Sequence, residues 1–247
     1  MLYVPFAIGA LVASSLSLRV LLMLLSVTFV YIARESVVGW WRARNRGRID
    51  LAASRFAIAY LALAVVFGGP PLFVYRLYWL AVFGIVATAL LLMNAHQAVR
   101  RQDRTTAGQM TAIGGLTLTA PVAYYTATGV LDVTAFWLWA MCAVYFASSV
   151  FYVKLRVTAI NPRKEAARLE SRLSCAIYHL FLLGALLVLA ITGTLSSFAL
   201  AAFLPVLVRS FCYLARPVRQ INFQRVGWLE IVYSVVFLIM TTLTFRV

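Results

Sequence analysis

The sequence predicts an all-α fold, a polytopic transmembrane helical bundle of about nine helices. Three observations lead there. First, 64% of the 247 residues are hydrophobic and 12% are charged, whereas a soluble domain is about half apolar and about a quarter charged. A chain this poor in polar residues cannot cover a water-facing surface, so lipid must cover it. Second, apolar segments approaching the ~20 residues that cross the hydrocarbon as a helix recur along the whole chain. Third, basic and nearly neutral connections alternate, which is the charge pattern of loops on two sides of a bilayer.

The nine apolar segments are 2–15, 17–33, 56–69, 78–94, 107–126, 133–153, 175–191, 197–214 and 227–245. Only the Ser-rich "SSLSLR" parts the first from the second. The first and third are short for a span. "GGPPL" (68–72) ends the third, because two prolines after two glycines read as a tight turn. "ATGVLD" (127–132) and "TGTLSS" (192–197) end the fifth and seventh in the same way. These short connections make antiparallel hairpins of segments 3–4, 5–6 and 7–8. Pro121 and Pro205 are kink candidates inside the fifth and eighth.

Twenty of the 22 basic residues are Arg, and the net charge is +15. Eighteen basic residues lie in the 2–3, 4–5, 6–7 and 8–9 connections: Arg34, Arg42, Arg44, Arg46, Arg48, Arg55, Arg100, Arg101, Arg104, Lys154, Arg156, Arg163, Lys164, Arg168, Arg172, Arg216, Arg219 and Arg225. The other connections and the C-terminus hold only Arg19, Arg76 and Arg246, and Arg209 falls within the eighth segment. By the positive-inside rule the N-terminus is cytoplasmic and the C-terminus outside, in a multi-pass protein of the bacterial inner (plasma) membrane. In a soluble protein such charge would point to nucleic acid. Here it belongs to loops facing membrane lipid, and no nucleic-acid partner is expected. The stretch "ARESVVGWWRARNRGRID" (33–50) accordingly reads as mainly a cytoplasmic loop, with Trp40 and Trp41 at the interface and arginines against anionic headgroups. Cys142, Cys175 and Cys212 lack CxxC or metal-ligand spacing and read as small hydrophobes. No basic residue precedes Arg19, so no signal peptide is expected.

A faint internal repeat is present. "AIGAL" (7–11) matches "AIGGL" (112–116), "SRFAIAY" (54–60) matches "SRLSCAIY" (171–178), and "FVYIAR" (29–34) matches "FYVKLR" (151–156). The three matches occur in the same order. We read a single transmembrane domain of two four-helix pseudo-repeats, about 1–106 and 107–226, plus a ninth helix at 227–245. Parallel repeats of this kind place a shared site at the interface of the halves.

Ionisable groups within a span cost about 2.5–3.5 kcal/mol each at mid-depth on the insertion scale, so they need partners or a function. Arg209 lies roughly 9 Å inside the eighth segment and Glu230 roughly 6 Å inside the ninth, at ~1.5 Å per residue from the same side. They are predicted to pair or to share a polar cavity. Arg34 and Glu35 close the second segment, and Lys154 and Arg156 close the sixth. Asn94 and His96 end the fourth; Arg172 precedes the seventh, and His179 lies one turn into it. At one depth these would form a polar ring rich in Arg, Lys and His, suited to a phosphate or diphosphate headgroup. The chain has seven acids and no Walker loop, GxSxG, HExxH or paired Cys, so no catalytic residue and no metal site is assigned.

The chain resembles the YwiC-like family of bacterial membrane proteins in "VPFAIG" (4–9), "YIARE" (31–35), "APVAYYTATGVLD" (120–132), "SSVFYVK" (148–154), "AIYHL" (176–180) and "VGWLEIV" (226–232). That family looks related to the UbiA-like intramembrane prenyltransferases. The resemblance implies nine helices with an internal repeat, a cytoplasmic N-terminus, and a cavity open toward lipid. It further implies a Mg²⁺–diphosphate site carried by two Asp-rich motifs at the inner ends of helices 2 and 6. This chain departs from that pattern. It has only Glu35 near the first motif and no acid near the second before Glu165. Gly108-Gln109 stands where the family has an Asn-Asp pair, and the His- and Gly-containing segment ahead of helix 1 is expected to be absent or to precede Met1. Mg²⁺ is therefore expected only if the chain is a prenyltransferase.

Three function classes stay open. One is a non-catalytic protein binding a lipid, isoprenoid or quinone-like molecule, or assisting a membrane complex. The second is a prenyltransferase acting on an isoprenyl diphosphate, and the third is a transporter. Of the stretch 33–50, only Arg34 and Glu35 are candidates for chemistry.

Overall fold

A computed structural model describes residues 2–159, 165–215 and 223–246. Met1, Arg163, Lys164, Arg216 and Arg219 lie outside the described residues, as does the Arg225 side chain. Among the described residues there are ten α-helices and no strand. They are α1 (Tyr3–Val12), α2 (Leu18–Asn45), α3 (Leu51–Phe73), α4 (Trp79–Val99), α5 (Thr106–Thr117), α6 (Thr119–Thr128), α7 (Val133–Ala159), α8 (Glu165–Ile191), α9 (Ser197–Ala215) and α10 (Phe223–Thr244). Seven of these, α2, α3, α4, α7, α8, α9 and α10, are long and apolar enough to cross a membrane. Each of the nine expected segments is helical, and the fifth is divided into α5 and α6.

Pro121 accounts for that division. It has no N–H for the Thr117 carbonyl, which loosens the ladder one residue ahead at Leu118. One hydroxyl braces the last turn of α5 and another bridges the joint. Thr117 Oγ1 donates to the Ile113 carbonyl at 2.7 Å and Thr119 Oγ1 to the Leu116 carbonyl at 2.8 Å.

Two expectations are corrected. The stretch 33–50 is not mainly a loop, because α2 continues to Asn45. Its last turns pack on the end of α4, with Val38 buried against Ala95 and Ala98 and Trp41 alongside. Arg42 Nη2 donates to the Ala98 carbonyl at 2.7 Å, which also accepts from Arg101 N at 3.1 Å, so it adds a second bond at the C-terminus of α4. Nor do the prolines of "GGPPL" end the third segment, since α3 runs through Pro70 and Pro71 to Phe73. The residue before a proline is disfavoured in the helical region, yet both Gly69 and Pro70 are helical. The Pro70 carbonyl then accepts from Val74 N at 2.9 Å. The chain turns only at Arg76, in the left-handed region at φ 56°. The expected turns at 127–132 and 192–197 are present, with Gly129 at φ 77° and Gly193 at φ 67°. Asp132 then caps α7, accepting from Thr134 N at 2.9 Å.

The chain divides into two compact units, Met1–Trp139 and Ala140–Val247. In the first, α2 packs along α3, α4 on α5, and α1 on α6. A core of Phe6, Val20, Met23, Leu80, Val122 and Tyr125 joins α1, α2, α4 and α6. In the second, α9 packs against α8 and α10, and Tyr145 of α7 stacks on Phe237 of α10 at 3.9 Å between ring centres.

Without a hydrophobic drive between helices in lipid, close approach of small residues holds them together. Gly9 of α1 shows this. A Cβ there would come within 3.0 Å of the Ala120 carbonyl carbon and the Tyr124 amide nitrogen, and closer still to the Ala120 oxygen. Gly9→Ala is therefore expected to lose about 1–3 kcal/mol, read as a lowered midpoint in thermal unfolding of the detergent-purified protein. Gly184→Ala, where a Cβ meets nothing within 4 Å, should be neutral or mildly stabilising; equal effects at both sites would refute this account.

Candidate functional site

Unit 1 encloses a cavity of about 430 Å³. Its walls come from α2, α3, α4, α5 and α6, and most of them are apolar: Met23, Val27 and Val30 face Leu80, Phe83 and Ala87. Its polar lining residues are Ser26, Tyr31, Arg34, Asn94, Thr111 and Thr119, and Arg34 is the one charged residue among those lining it. Arg34 Nε donates to Asn94 Oδ1 at 2.7 Å, and Arg34 Nη1 pairs with Glu35. The Arg34 side chain is 25% exposed and that of Glu35 73%. One cation thus closes an apolar shaft. Its orientation is fixed by a buried amide, and its charge is only partly offset by a solvated carboxylate. Of the sequence-predicted residues, the structure brings Arg34, Glu35 and Asn94 together here. His96 does not join them: it is exposed and tilts against Trp41, 5.6 Å between ring centres.

Unit 2 gathers a second set. Arg209 of α9 pairs with Glu230 of α10, and Ser149 of α7 donates to Glu230 Oε2 at 2.9 Å. The Arg209 side chain is 7% exposed and that of Glu230 24%. The guanidinium of Arg209 lies 3.9 Å above the Tyr152 ring and 5.3 Å from that of Tyr233. Arg156 donates through Nη1 to the Tyr152 hydroxyl at 3.0 Å and lies 4.8 Å over Tyr213. A recess of about 650 Å³ beside Arg209 is lined by Tyr152, Tyr213 and Tyr233 together with α9 residues including Leu204 and Val208.

The remaining predicted residues sit apart from that recess. Arg172 is exposed and donates to the Leu214 carbonyl at 3.0 Å, capping α9. Lys154 is half-buried on α7. His179 is fully enclosed, bonded to Ser148 Oγ at 2.9 Å and to the Cys175 carbonyl at 2.7 Å. With both ring nitrogens engaged, it joins α7 to α8 and offers no atom to a ligand. The tyrosines and Ser149 were not singled out in the sequence. A signal was there: Tyr152 precedes Arg156 by one helical turn, the spacing at which side chains meet.

A Mg²⁺–diphosphate centre of the UbiA type does not fit these residues. Glu35 and Glu230 are each engaged by an arginine, and among the described residues no three His, Cys, Asp or Glu side chains gather. Mg²⁺ takes one or two carboxylates in company with phosphate, and each site supplies a single carboxylate that is already paired with an arginine, not the two acidic motifs of that centre.

Fold and composition together define a multi-pass helical integral membrane protein. A family model described as YwiC-like protein matches residues 1–124, half of the chain, and the chain belongs to the YwiC-like family. No curated protein and no solved structure matches it.

Removing one partner of a buried ion pair leaves an uncompensated charge and costs about 3–5 kcal/mol. Glu230→Ala should fall near the lower end, as Glu230 is partly exposed. The double variant Arg209→Met/Glu230→Leu should be markedly more stable than Glu230→Ala. Thermal unfolding in detergent checks both, and an unchanged midpoint for Glu230→Ala would rule out the pair as a structural clamp.

Proposed function

We propose that this YwiC-like protein binds a lipid or isoprenoid-type molecule in the unit 1 cavity, with its chain in the apolar shaft and its polar head at Arg34. The observation that carries this reading is the polarity of the cavity: apolar walls along its length and one oriented guanidinium at one end. Ligand sites are mostly apolar with a few placed polar groups that fix orientation. A guanidinium recognises phosphate oxygens through paired N–H groups. The basic connections favour an inner-membrane protein with its N-terminus and the Arg34 end on the cytoplasmic side. That side is where soluble isoprenyl diphosphates would arrive. A transfer reaction has less support, because the one carboxylate beside the site, Glu35, is paired with Arg34.

The test is binding of farnesyl diphosphate, farnesol and a short-chain quinone to purified protein, with and without Mg²⁺. The diphosphate is expected to bind without Mg²⁺, and Arg34→Ala to weaken it roughly tenfold or more, the scale of a lost charge-assisted hydrogen bond. Ala87→Phe, which fills the shaft while leaving Arg34 intact, should abolish binding of every probe. Binding by none of the three would overturn the reading. Binding that strictly requires Mg²⁺ would restore the prenyltransferase alternative.

A further inference from the structure

We propose that the unit 2 recess is a second binding site, one that takes the oxyanion head of an amphiphile such as an anionic phospholipid or a fatty acid. The argument begins with unused donors. Arg209 Nη1 serves Glu230, but Nε and Nη2 are buried with no hydrogen-bond partner among the described residues. Those two atoms form one edge of the guanidinium fork, the edge that grips two oxygens of one carboxylate or phosphate group. Leaving buried donors unmatched costs free energy, and far more when the donor is charged. Arg209 is nine-tenths buried and lines the recess, so a ligand there can complete its bonding.

Charge points the same way. Among the described residues, the cations Arg156 and Arg209 stand around Tyr152 with one carboxylate, Glu230. Positive charge is in excess there, which suits an anionic head. The Arg156 Nε is also buried without a partner among the described residues. Tyrosine faces hold both guanidinium planes and add cation–π attraction, which strengthens where water is excluded.

The walls set the remainder of the ligand. Arg209 lies six residues from the end of α9, roughly 9 Å at ~1.5 Å per residue. Beyond it the recess continues along Val208, Pro205, Leu204 and Ala201. Leu204 and Val208 are exposed apolar side chains, which in a membrane-spanning helix face acyl chains. A small soluble anion would leave that apolar groove unfilled, whereas an amphiphile covers it.

Cys212 provides the readout. It lines the recess and is exposed, while Cys142 and Cys175 are buried. The rate of Cys212 alkylation by a membrane-permeant maleimide would be measured on purified protein with phosphatidylglycerol, palmitate, phosphatidylcholine or inorganic phosphate. Phosphatidylglycerol or palmitate is expected to slow labelling about tenfold at ten times its Kd, in proportion to the free fraction. Arg209→Lys keeps the charge beside Glu230 but lacks the two-nitrogen edge, and should weaken protection roughly tenfold. Leu204→Trp, which fills the groove, should lower the bound lipid counted by native mass spectrometry with Arg209 intact. Equal protection by phosphatidylcholine or by inorganic phosphate would overturn the proposal, as would protection that survives Arg209→Lys. Arg34→Ala should leave this readout unchanged, so failure here is distinguishable from failure of the unit 1 reading.

Discussion

Hydrocarbon cannot form a hydrogen bond, so each polar group in a span must be satisfied by the protein itself. The helices follow from that for the backbone. Many hydroxyl side chains follow the same rule. Thr28, Thr88, Thr126, Thr158 and Thr242 each donate back to the carbonyl one turn earlier, at 2.7 to 2.9 Å. Helix ends raise the harder problem, since the last carbonyls have no partner within the helix. Arginines supply it: Arg42 on Ala98 of α4, Arg19 on Ala127 of α6 and Arg172 on Leu214 of α9. A cation is also favoured at a helix C-terminus by the macrodipole. A share of the chain's arginine content therefore has a structural use apart from orientation in the bilayer.

The two pockets meet the same constraint in different ways. In unit 1 the cation stands at the exposed end of the shaft. Arg34 and its carboxylate are sequence neighbours, and Glu35 is mostly solvated. Such a pair is weak, as exposed ion pairs generally are, and the guanidinium stays available to a head group arriving from water. In unit 2 the pair joins two helices, and the arginine is nearly sealed. Water cannot complete its bonding there, so tyrosine faces take up the role on either side. The first guanidinium is open to the aqueous phase, whereas the second is shielded within its unit.

The spans were legible because they rest on composition and length, which lipid reads directly. The Arg209–Glu230 pairing was also legible, from equal depth on consecutive helices. The helix ends were not. Arg42 and Trp41 look like loop residues by polarity, yet they belong to α2 because the end of α4 lies beside them. Nothing local to residues 33–50 announces that neighbour. Pro70 and Pro71 misled as well: α3 carries both prolines close to its end and turns only at Arg76. His179 shows the opposite limit. Its position near one end of the span marked it as a possible ligand, and only the tertiary partners Ser148 and Cys175 assign it to packing.

The cavity itself depends on the elements that fall short of spanning. α1 has ten residues, α5 twelve and α6 ten. Each is too short to cross the hydrocarbon alone, since a span needs about 20 residues. They are held instead by contact with one another. Gly9 lets α1 approach the backbone of α6, and Thr119 Oγ1 reaches the Leu2 carbonyl at 3.3 Å. Leu2, Leu118 and Thr119 are also part of the cavity wall. Two continuous helices packed along their full lengths would fill that volume with side chains, at the density of an interior. A short helix against a broken one leaves part of the length unfilled. Pro121, which breaks the fifth segment, and Gly9, which seats α1 against its second half, thus set how the short helices pack beside the cavity.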